Sequence, residues 1–511
     1  MAGFLFFLFF IKQCDMRVLV AICFFFFQIS FARQNIVSAQ DKDTLAGEYG
    51  RLITPGNLKK QLYTLASSEM EGRETATPGQ EKAAAYIASQ FAQMGLAPGA
   101  NGKWLQHYPL YSDSLLHASI TVNQQSYKWG RDFWVDIRAG KNQQLTANSV
   151  VYVSDGTEMD YLDQEVKGKV VMMKEASLRN REGSDLNSRI TFAAARGASA
   201  LLIISPQASR YSSLGEAKLR TSGIYQKNAS SKELNIYYIT PTIAIQILQL
   251  GKKDNLSDQK QAKEVTIPIH LTFEKRTTEL HPSNVLGLLE GTDKKDEYVF
   301  VTAHYDHLGK NGRTIYFGAD DDASGTSAVI EIAAAFAQAK KEGKGPRRSI
   351  VFMTVSGEEK GLLGSSYYTS NPIYPLSQTV TDLNIDMIGR IDPAHEKDSN
   401  YVYIIGDNRL SSELRTINEA ANNEYTHLQL DYKYNDPEDP EAFYYRSDHY
   451  MFAQHGIPII FYFNGTHADY HQPSDTPDKI NYQLLSRRAQ LVFYTAWKIA
   501  NRDERLAVDG M

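Results

Sequence analysis

Histidines and acidic residues recur in five short clusters between residues 302 and 472, each beside a strand-like or turn-like segment. The clusters are TAHYDHLG (302–309), GADDDASG (318–325), SGEE (356–359), NIDM (384–387) and DYHQ (469–472). Carboxylate oxygen and imidazole nitrogen form a ligand set that suits zinc or a similar first-row ion. Such a set can hold two ions when one carboxylate bridges them, and ions about 3.5–4 Å apart form a hydrolytic clamp. The clusters therefore predict a metal-dependent hydrolase.

Each cluster alone also has an ordinary explanation. An aspartate run is commonly a solvated turn, a lone histidine is commonly a surface or core residue, and the pair Glu358 and Glu359 fits an acidic turn. Asp386 is harder to explain in this way, because it ends an apolar strand where an unpaired carboxylate is costly to bury. The recurrence of such clusters in one stretch of chain favours a metal site over separate turns.

Length and charge narrow the class of protein. The chain has 511 residues, which exceeds the ~250–300 residues at which one hydrophobic core stops growing, so two domains are expected. The formal net charge is -5, and no long run of lysine or arginine stands out. A nucleic-acid partner is therefore not expected.

The amino terminus has the pattern of a secretory signal. Two apolar runs, residues 3–11 and 18–27, are both shorter than the ~18 residues of a spanning helix. Arg17 precedes the second run, and the small-residue site Ser30-Phe-Ala32 follows it. The pattern predicts a signal peptide over residues 1–32, a secreted or periplasmic mature chain, and no stable membrane insertion after cleavage. An uncleaved anchor is the alternative.

Cysteine usage limits the chemistry further. Both cysteines, Cys14 and Cys23, lie within the predicted signal peptide, so the mature chain should contain none. Cysteine nucleophiles and thiolate metal sites are thereby excluded. A large exported protein without disulfides depends on its hydrophobic core.

Hydrophobic periodicity predicts two helices near the amino terminus and then alternating strands and helices in the carboxyl-terminal half. The predicted helices are 58–66, 79–94, 324–341, 362–369, 411–423, 448–454 and 482–501, and the predicted strands are 298–302, 349–355, 382–387, 401–405 and 458–463. This alternation indicates a mainly parallel sheet covered on both faces. Four of the five clusters follow or end a strand, which is where open α/β sheets place their sites.

The middle of the chain has a different texture. From about residue 113 to residue 275 it shows short β-rich runs, with one helix at 189–196 that Gly197 ends and one buried strand at 200–204. This region is predicted to be a separate domain.

In their order along the chain, the five clusters resemble the metal-site motifs of peptidase family M28, the co-catalytic zinc aminopeptidases and carboxypeptidases. SEMEGR (68–73) resembles the amino-terminal lead-in of that family, although an ordinary helical hairpin fits these residues equally well. VKGKV (166–170) and residues 193–202 resemble a protease-associated domain. The resemblance implies an α/β fold, with a mainly parallel mixed sheet flanked by helices as in zinc exopeptidases and an inserted β-rich α/β domain.

The predicted domain boundaries follow from these features. They are a signal peptide at 1–32, the amino-terminal part of the peptidase domain at 33–112, a protease-associated insertion at 113–275 and the catalytic zinc peptidase domain at 276–511.

The resemblance also assigns metal ligands where spacing leaves alternatives. Either His304 or His307 fits as a ligand from the residues alone, and so does any one of Asp320, Asp321 and Asp322. The family pattern selects His304, with His307 in a supporting role, and it selects Asp321 as the bridging carboxylate, followed by a cis peptide bond. Two zinc ions are implied, with the following ligands: His304 and Asp386 on one ion, Glu359 and His471 on the other, and Asp321 on both.

Three further residues are predicted to take part in catalysis. The resemblance assigns proton transfer to Glu358. Asp306, two residues after His304, is placed to accept the second imidazole N–H and so fix the tautomer. Tyr470 is placed to donate its hydroxyl to a tetrahedral oxyanion, although an ordinary packed tyrosine fits equally well.

The predicted function is a secreted metallo-exopeptidase that hydrolyses peptides or proteins, chiefly at the amino terminus, with a zinc-activated water and a glutamate base. Two other classes compete with it: a catalytically inactive receptor-like ectodomain, and a glutaminyl-cyclase-like acyltransferase with a single zinc. The inactive class should have lost ligands, and all five are present. The acyltransferase needs neither the bridging-type aspartate cluster nor a protease-associated domain.

Overall fold

A computed structural model describes residues 44–175, 186–208, 220–227 and 233–510. The predicted signal peptide at residues 1–32 lies outside these ranges. The chain divides into two compact units, one formed by the residues up to Tyr108 together with those from Pro282 onward, and the other formed by Pro109–His281. In the described ranges, no helix has both the length and the apolar character needed to cross a bilayer.

The helices in chain order are α1 (44–50), α2 (Pro55–Leu65), α3 (Pro78–Gln93), α4 (Leu186–Ala195), α5 (Pro241–Ile247), α6 (Ala323–Lys341), α7 (Leu363–Ser370), α8 (Ser412–Ala421), α9 (His449–Ala453) and α10 (Tyr482–Asn501). The strands are β1 (Ala97–Pro98), β2 (Leu105–His107), β3 (Leu110–Val122), β4 (Gln125–Tyr127), β5 (Phe133–Val135), β6 (Gln143–Tyr152), β7 (Val170–Lys174), β8 (Ala200–Ile204), β9 (Ile236–Ile239), β10 (Lys263–Leu280), β11 (Ser283–Leu289), β12 (Lys294–His304), β13 (Lys310–Asn311), β14 (Thr314–Ile315), β15 (Arg348–Val355), β16 (Thr379–Ile385), β17 (Tyr401–Ile405), β18 (Gln429–Asp431) and β19 (Ile459–Phe463).

The first unit is built on a nine-stranded mixed sheet of order β1-β11-β15-β12-β16-β19-β17-β18, with β2 also paired to β11. The four central strands β15, β12, β16 and β19 run parallel. The strands beside them, β11 and β17, pair antiparallel with β15 and β19. This arrangement confirms the predicted mixed sheet and places the parallel strands at its centre.

The central strands of this sheet are buried on both faces. Every residue of β15 and of β16 is buried. Helix α6 covers one face, where Phe336 packs against Phe352 of β15 and Trp497 of α10. The predicted helices of this unit are confirmed, with small differences at their ends.

The second unit contains an eight-stranded sheet of order β4-β3-β10-β6-β7-β8-β9-β5. Strands β3 and β10, of 13 and 18 residues, pair antiparallel along most of their length. These two strands are longer than the short β-rich runs seen in the sequence, because both carry many polar side chains and so do not stand out as apolar runs. The likeness to a protease-associated domain stays a prediction.

Candidate metal centre

The five sequence clusters meet at the carboxyl ends of the four parallel strands. His304 is the last residue of β12, and Asp386 directly follows β16. Glu358 and Glu359 lie in the turn after β15, and His471 lies in the loop after β19. The loop before α6 carries Asp321. The carboxyl edge of a parallel sheet is where ligand sites of α/β proteins form.

One oxygen of Asp321 faces the first cluster of ligand atoms. His304 Nε2 lies 3.1 Å from Asp321 Oδ1 and 3.6 Å from Asp386 Oδ1. All three side chains are buried, and their ligand atoms lie close enough together to bind one ion. The structure therefore brings together His304, Asp386 and Asp321, the three residues predicted to share one ion.

The other oxygen of Asp321 faces the second cluster. His471 Nε2 lies 3.0 Å from Asp321 Oδ2 and 3.2 Å from Glu359 Oε2. His307 also lies here, with Nδ1 2.7 Å from Glu359 Oε1 and 3.9 Å from Asp321 Oδ2. The resemblance assigned His307 a supporting role without a position, and the structure places its ring against the second cluster.

The structure separates the roles of the three consecutive aspartates. Asp321 alone among them faces both histidines, His304 and His471. Asp322 caps α6 and accepts hydrogen bonds from the amides of Gly325 and Met387, and Asp320 accepts from the amide of Gly389. The Asp321–Asp322 peptide bond is cis, as the resemblance implied.

The donor set fits a divalent cation of the size of zinc. The ligand-atom separations that involve His304 and His471 are 3.0–3.6 Å, close to the ~3.3–3.5 Å edge of a tetrahedron with bonds of about 2.0–2.2 Å. His304 Nε2, Asp321 Oδ2 and Glu359 Oε1 are buried and make no hydrogen bond of regular geometry within the described residues, and the nearest polar atoms to them are other histidine and carboxylate atoms of the site. Buried polar atoms are almost always partnered, so these atoms are arranged for a cation.

The raised pKa values of His304 and His471 also indicate that the site favours positive charge. Burial opposes a charge on His304, but the carboxylates of Asp386 and Glu358 outweigh it and raise the pKa of the imidazole well above its usual range. Burial likewise opposes a charge on His471, but hydrogen bonds with Asp321 and Glu359 raise its pKa to about 10. Without a metal, these rings bind protons, which then supply the positive charge.

The adjacent glutamates have pKa values shifted in opposite directions. Burial and the neighbouring Glu359 charge raise the pKa of Glu358 well above its usual range, although His304 opposes this. Burial and Asp321 act to raise the pKa of Glu359, but His307 and His471 overcome them and lower it. Titratable pairs whose pKa values are pushed apart divide into a proton carrier and a permanently ionised group.

Asp306 lies against the second nitrogen of the His304 ring. His304 Nδ1 lies 3.1 Å from the main-chain oxygen of Asp306 and 3.7 Å from its carboxylate. The carboxylate is turned away because it accepts hydrogen bonds from the Thr75 hydroxyl at 2.5 Å and from the Glu358 amide at 3.3 Å. Asp306 thus contacts the second imidazole nitrogen of His304 through its main-chain oxygen.

Tyr470 lies at the rim of the site. It lines a small cavity together with Asp321, Glu358 and Asp386. Its ring stacks on His471, with centroids 3.9 Å apart. Burial and the surrounding carboxylates raise its pKa, so the hydroxyl keeps its proton and remains a donor.

Several supporting residues were missed by sequence reasoning. Ser447 donates to Asp386 Oδ2 at 2.7 Å, leaving Oδ1 to face His304. Asp475 Oδ2 accepts from the amides of Asp320 and Asp321 at 2.9 and 3.2 Å. Both residues are distant in sequence from the atoms they hold, so spacing gave no signal for them.

Arg73 is another such residue. It is fully buried, and its guanidinium donates to main-chain oxygens at 2.7–2.9 Å. The acceptors are Leu65, Tyr305, Phe317 and Gly318. The sequence signal for Arg73 is the resemblance of SEMEGR (68–73) to the lead-in of the family.

Comparison with known proteins agrees with this geometry. Residues 284–496 match the sequence pattern of peptidase family M28. "Aminopeptidase NAALADL1" from Mus musculus is 36% identical over 126 residues, which are 24% of this chain and 15% of that protein. "Probable leucine aminopeptidase" from Arthroderma otae is 30% identical over 213 residues, 40% of this chain and 55% of that protein. The chain thus spans at most about half the length of these curated relatives.

The solved structure of an aminopeptidase from Aneurinibacillus sp. strain AM-1 has a similar fold. The two superpose with a TM-score of 0.52 over 91% of this chain and 98% of that one, at 19% sequence identity. At this level of identity the likeness concerns the fold alone.

Proposed function

Residues 284–496 belong to peptidase family M28, and from this premise we propose that the chain is a zinc-dependent exopeptidase that uses two ions to remove residues from the amino termini of peptides and proteins. The observation that carries the proposal is the position of Asp321. Its two oxygens face two clusters, each with a histidine and a second carboxylate, and Glu358 borders the same cavity.

The ligand assignment follows the two clusters. His304 and Asp386 would hold one ion, Glu359 and His471 the other, and Asp321 both. Bound zinc would acidify a water molecule and polarise the scissile carbonyl. The protein's contribution is to present these ligands from strand ends that are fixed by a buried sheet.

Glu358 is the residue proposed for proton transfer. Its carboxyl lines the cavity, with one oxygen 4.0 Å from His304 Nε2. Burial raises its pKa well above the usual range, which suits a group that takes a proton from the attacking water and passes it to the leaving amine. Glu359, with a lowered pKa, stays ionised as a ligand.

Substrate binding is assigned to the remaining cavity wall. Tyr470 would donate its hydroxyl to the developing oxyanion. Phe443, Phe461 and Phe463 form an apolar part of the wall. We expect the cavity to accept an apolar side chain from the substrate, since burying such a chain is favourable by about 25 cal/mol per Å².

The competing functions require a different site. An inactive receptor-like ectodomain has no need of ligand atoms that lack hydrogen bonds in a buried site, and burying unpaired carboxylates destabilises the fold. A single-zinc acyltransferase has no use for the second cluster around His471 and Glu359. The assembled set of five ligands and Glu358 therefore supports the two-zinc peptidase.

The test is an assay of the purified chain on aminoacyl 4-nitroanilides, including leucyl, phenylalanyl, aspartyl and lysyl forms and their N-acetylated counterparts. We expect cleavage of the apolar, unblocked substrates, loss of activity with a chelator and recovery with zinc. Cleavage of blocked substrates alone, or full activity without metal, would contradict the proposal.

Matched glutamine variants test the division of roles. Glu358→Gln should lower kcat about 10²–10⁴-fold with zinc content nearly unchanged. Glu359→Gln should reduce the zinc content as well. Glu342→Gln, on the exposed end of α6, is the control and should change neither quantity. Loss of zinc from Glu358→Gln but not from Glu359→Gln would show that the two roles are exchanged.

Export is proposed on the sequence pattern of residues 1–32. Intact-mass measurement of protein recovered outside the cytoplasm should find this segment removed. A product that retains it would contradict the proposal.

A further inference from the structure

The segment of residues 72–75 contacts two loops of the metal centre, although it lies more than two hundred residues before the family match at 284–496. Main-chain hydrogen bonds join the Gly309 amide to Gly72 at 3.0 Å and the His307 amide to Arg73 at 3.3 Å. Arg73 ties the same segment to the loops at 305 and 317–318 through its guanidinium. These hydrogen bonds fix the segment against the loop that follows His304.

Gly72 shows how closely the backbone of this segment approaches the backbone of the loop at Gly309. Its φ is +72°, in the left-handed region that favours glycine, and a Cβ there would lie 2.2 Å from the Gly309 oxygen. A larger residue at position 72 would force the two backbone segments apart. The position of Thr75 relative to Asp306 is thus set by the backbone.

The Thr75 hydroxyl donates a hydrogen bond to one acceptor, the Asp306 carboxylate. Thr75 is 1% exposed, and its hydroxyl lies 2.5 Å from Asp306 Oδ2. The other oxygen of this carboxylate accepts the Glu358 amide at 3.3 Å. The carboxylate therefore bridges the segment to the turn that carries the proton-transfer glutamate.

A second contact links the same two pieces of chain. Glu74 Oε1 lies 2.9 Å from Lys360 Nζ, and Lys360 belongs to the same turn as Glu358. Both side chains are partly exposed, so this ion pair contributes little on its own. The hydrogen bond through Asp306 is buried, and it is the stronger constraint.

We propose that Thr75 is a positioning residue for proton transfer: its hydroxyl holds the Asp306 carboxylate against the Glu358 amide and so fixes the turn that presents the Glu358 side chain. This inference rests on the proposed function, which gives Glu358 its role. The same bond turns the carboxylate away from His304, leaving the Asp306 main-chain oxygen to contact the imidazole.

The test compares Thr75→Val, which keeps the shape and removes the hydroxyl, with Thr75→Ser, which keeps the hydroxyl. Thr77→Val is the matched control, because Thr77 lies two residues after the segment and its hydroxyl donates to the main-chain oxygen of Glu74 and not to the site. Two quantities are measured: amide hydrogen exchange of peptides covering residues 356–362, and kcat and KM on the preferred nitroanilide.

Thr75→Val should speed hydrogen exchange at the Glu358 amide by about tenfold, because the amide should lose the stabilisation of its hydrogen bond to a charged acceptor. It should lower kcat by about 10–100-fold, the usual cost of losing a partner behind a metal-site group, and change KM less. Thr75→Ser and Thr77→Val should stay close to the unaltered protein in both measurements.

Unchanged exchange over residues 356–362 in Thr75→Val would overturn the inference, as would an equal effect of Thr77→Val. A slow Thr75→Val enzyme that Thr75→Ser fails to rescue would also overturn it. If the unaltered protein has no peptidase activity, the proposed function fails, and the exchange measurement still decides whether Thr75 holds the Glu358 turn.

Discussion

His449 should make the protein lose stability in mild acid. The ring is fully buried at the start of α9 and stacks on Phe461, with centroids 4.7 Å apart. Nε2 lies 2.8 Å from the main-chain oxygen of Tyr444, and Nδ1 has no hydrogen-bond partner in the described part of the chain. Burial, with the charge of Arg409 nearby, lowers the pKa of His449 from 6.5 to about 3.

The sign and size of the effect follow from proton linkage. Below its pKa of 6.5 the unfolded chain binds a proton on this histidine, whereas the folded chain does so only near 3. Stability is therefore full above pH 6.5 and falls as the pH drops from 6.5 towards 3. At pH 5.0 the loss relative to pH 7.5 is about 2 kcal/mol, because each pKa unit corresponds to about 1.4 kcal/mol.

The variant His449→Gln keeps a side-chain N–H for the Tyr444 oxygen and cannot take a charge. Urea unfolding followed by tryptophan fluorescence, at pH 7.5 and 5.0 with chelator in every sample, gives the free energy of unfolding for both proteins. The unaltered protein should lose about 2 kcal/mol more than the variant between the two pH values. His455→Gln, at an exposed histidine beyond the same helix, should behave like the unaltered protein. Equal losses in the unaltered protein and in His449→Gln would refute the reasoning.

Four further outcomes are expected. Asp321→Asn should reduce bound zinc from two ions to one or none by metal analysis, because it removes the charge that both clusters share; retention of two would contradict the bridging role. Ser447→Ala should weaken one zinc site about 10–100-fold in calorimetric titration, since it releases Asp386 Oδ2; the buried control Ser486→Ala should not. The acid limb of the rate–pH profile should move to lower pH as zinc is increased, because protons and metal compete for His304 and His471; a limb that stays fixed would assign it to Glu358 or the substrate. Deleting residues 113–275 should alter the preference for substrate size and leave zinc binding intact; loss of zinc from a folded deletion variant would make that unit part of the site.

The elements of the sheet could be predicted because their signals are local. Strand β15 is buried throughout, and its centre, residues 350–353, is an apolar run. Asp322 caps α6 and helix α10 has Asn481 at its start, and both ends are marked by residue types that cap helices. The clusters after these strands could then be placed at one edge of the sheet before any coordinates were known.

The contacts between clusters could not be predicted in the same way. Whether His307 lies near the first or the second cluster depends on the path of the loop after β12, and that path is set by hydrogen bonds to residues 72–73. Ser447 and Thr75 reach the site from distant segments. Sequence spacing carries no information on such contacts, because they arise only when the sheet brings separate loops together.

The two glutamates show how the fold divides work between identical side chains. Glu358 and Glu359 are adjacent in one turn, so composition and spacing give them the same chemistry. Their pKa values diverge because Glu359 lies against two histidines, His307 and His471, from the loops after β12 and β19, whereas the nearest histidine to the half-buried Glu358 is His304. The ionised member is thus chosen by which loops surround it. A metal ligand and a proton carrier can therefore occupy consecutive positions, provided that the ends of several parallel strands converge on that turn.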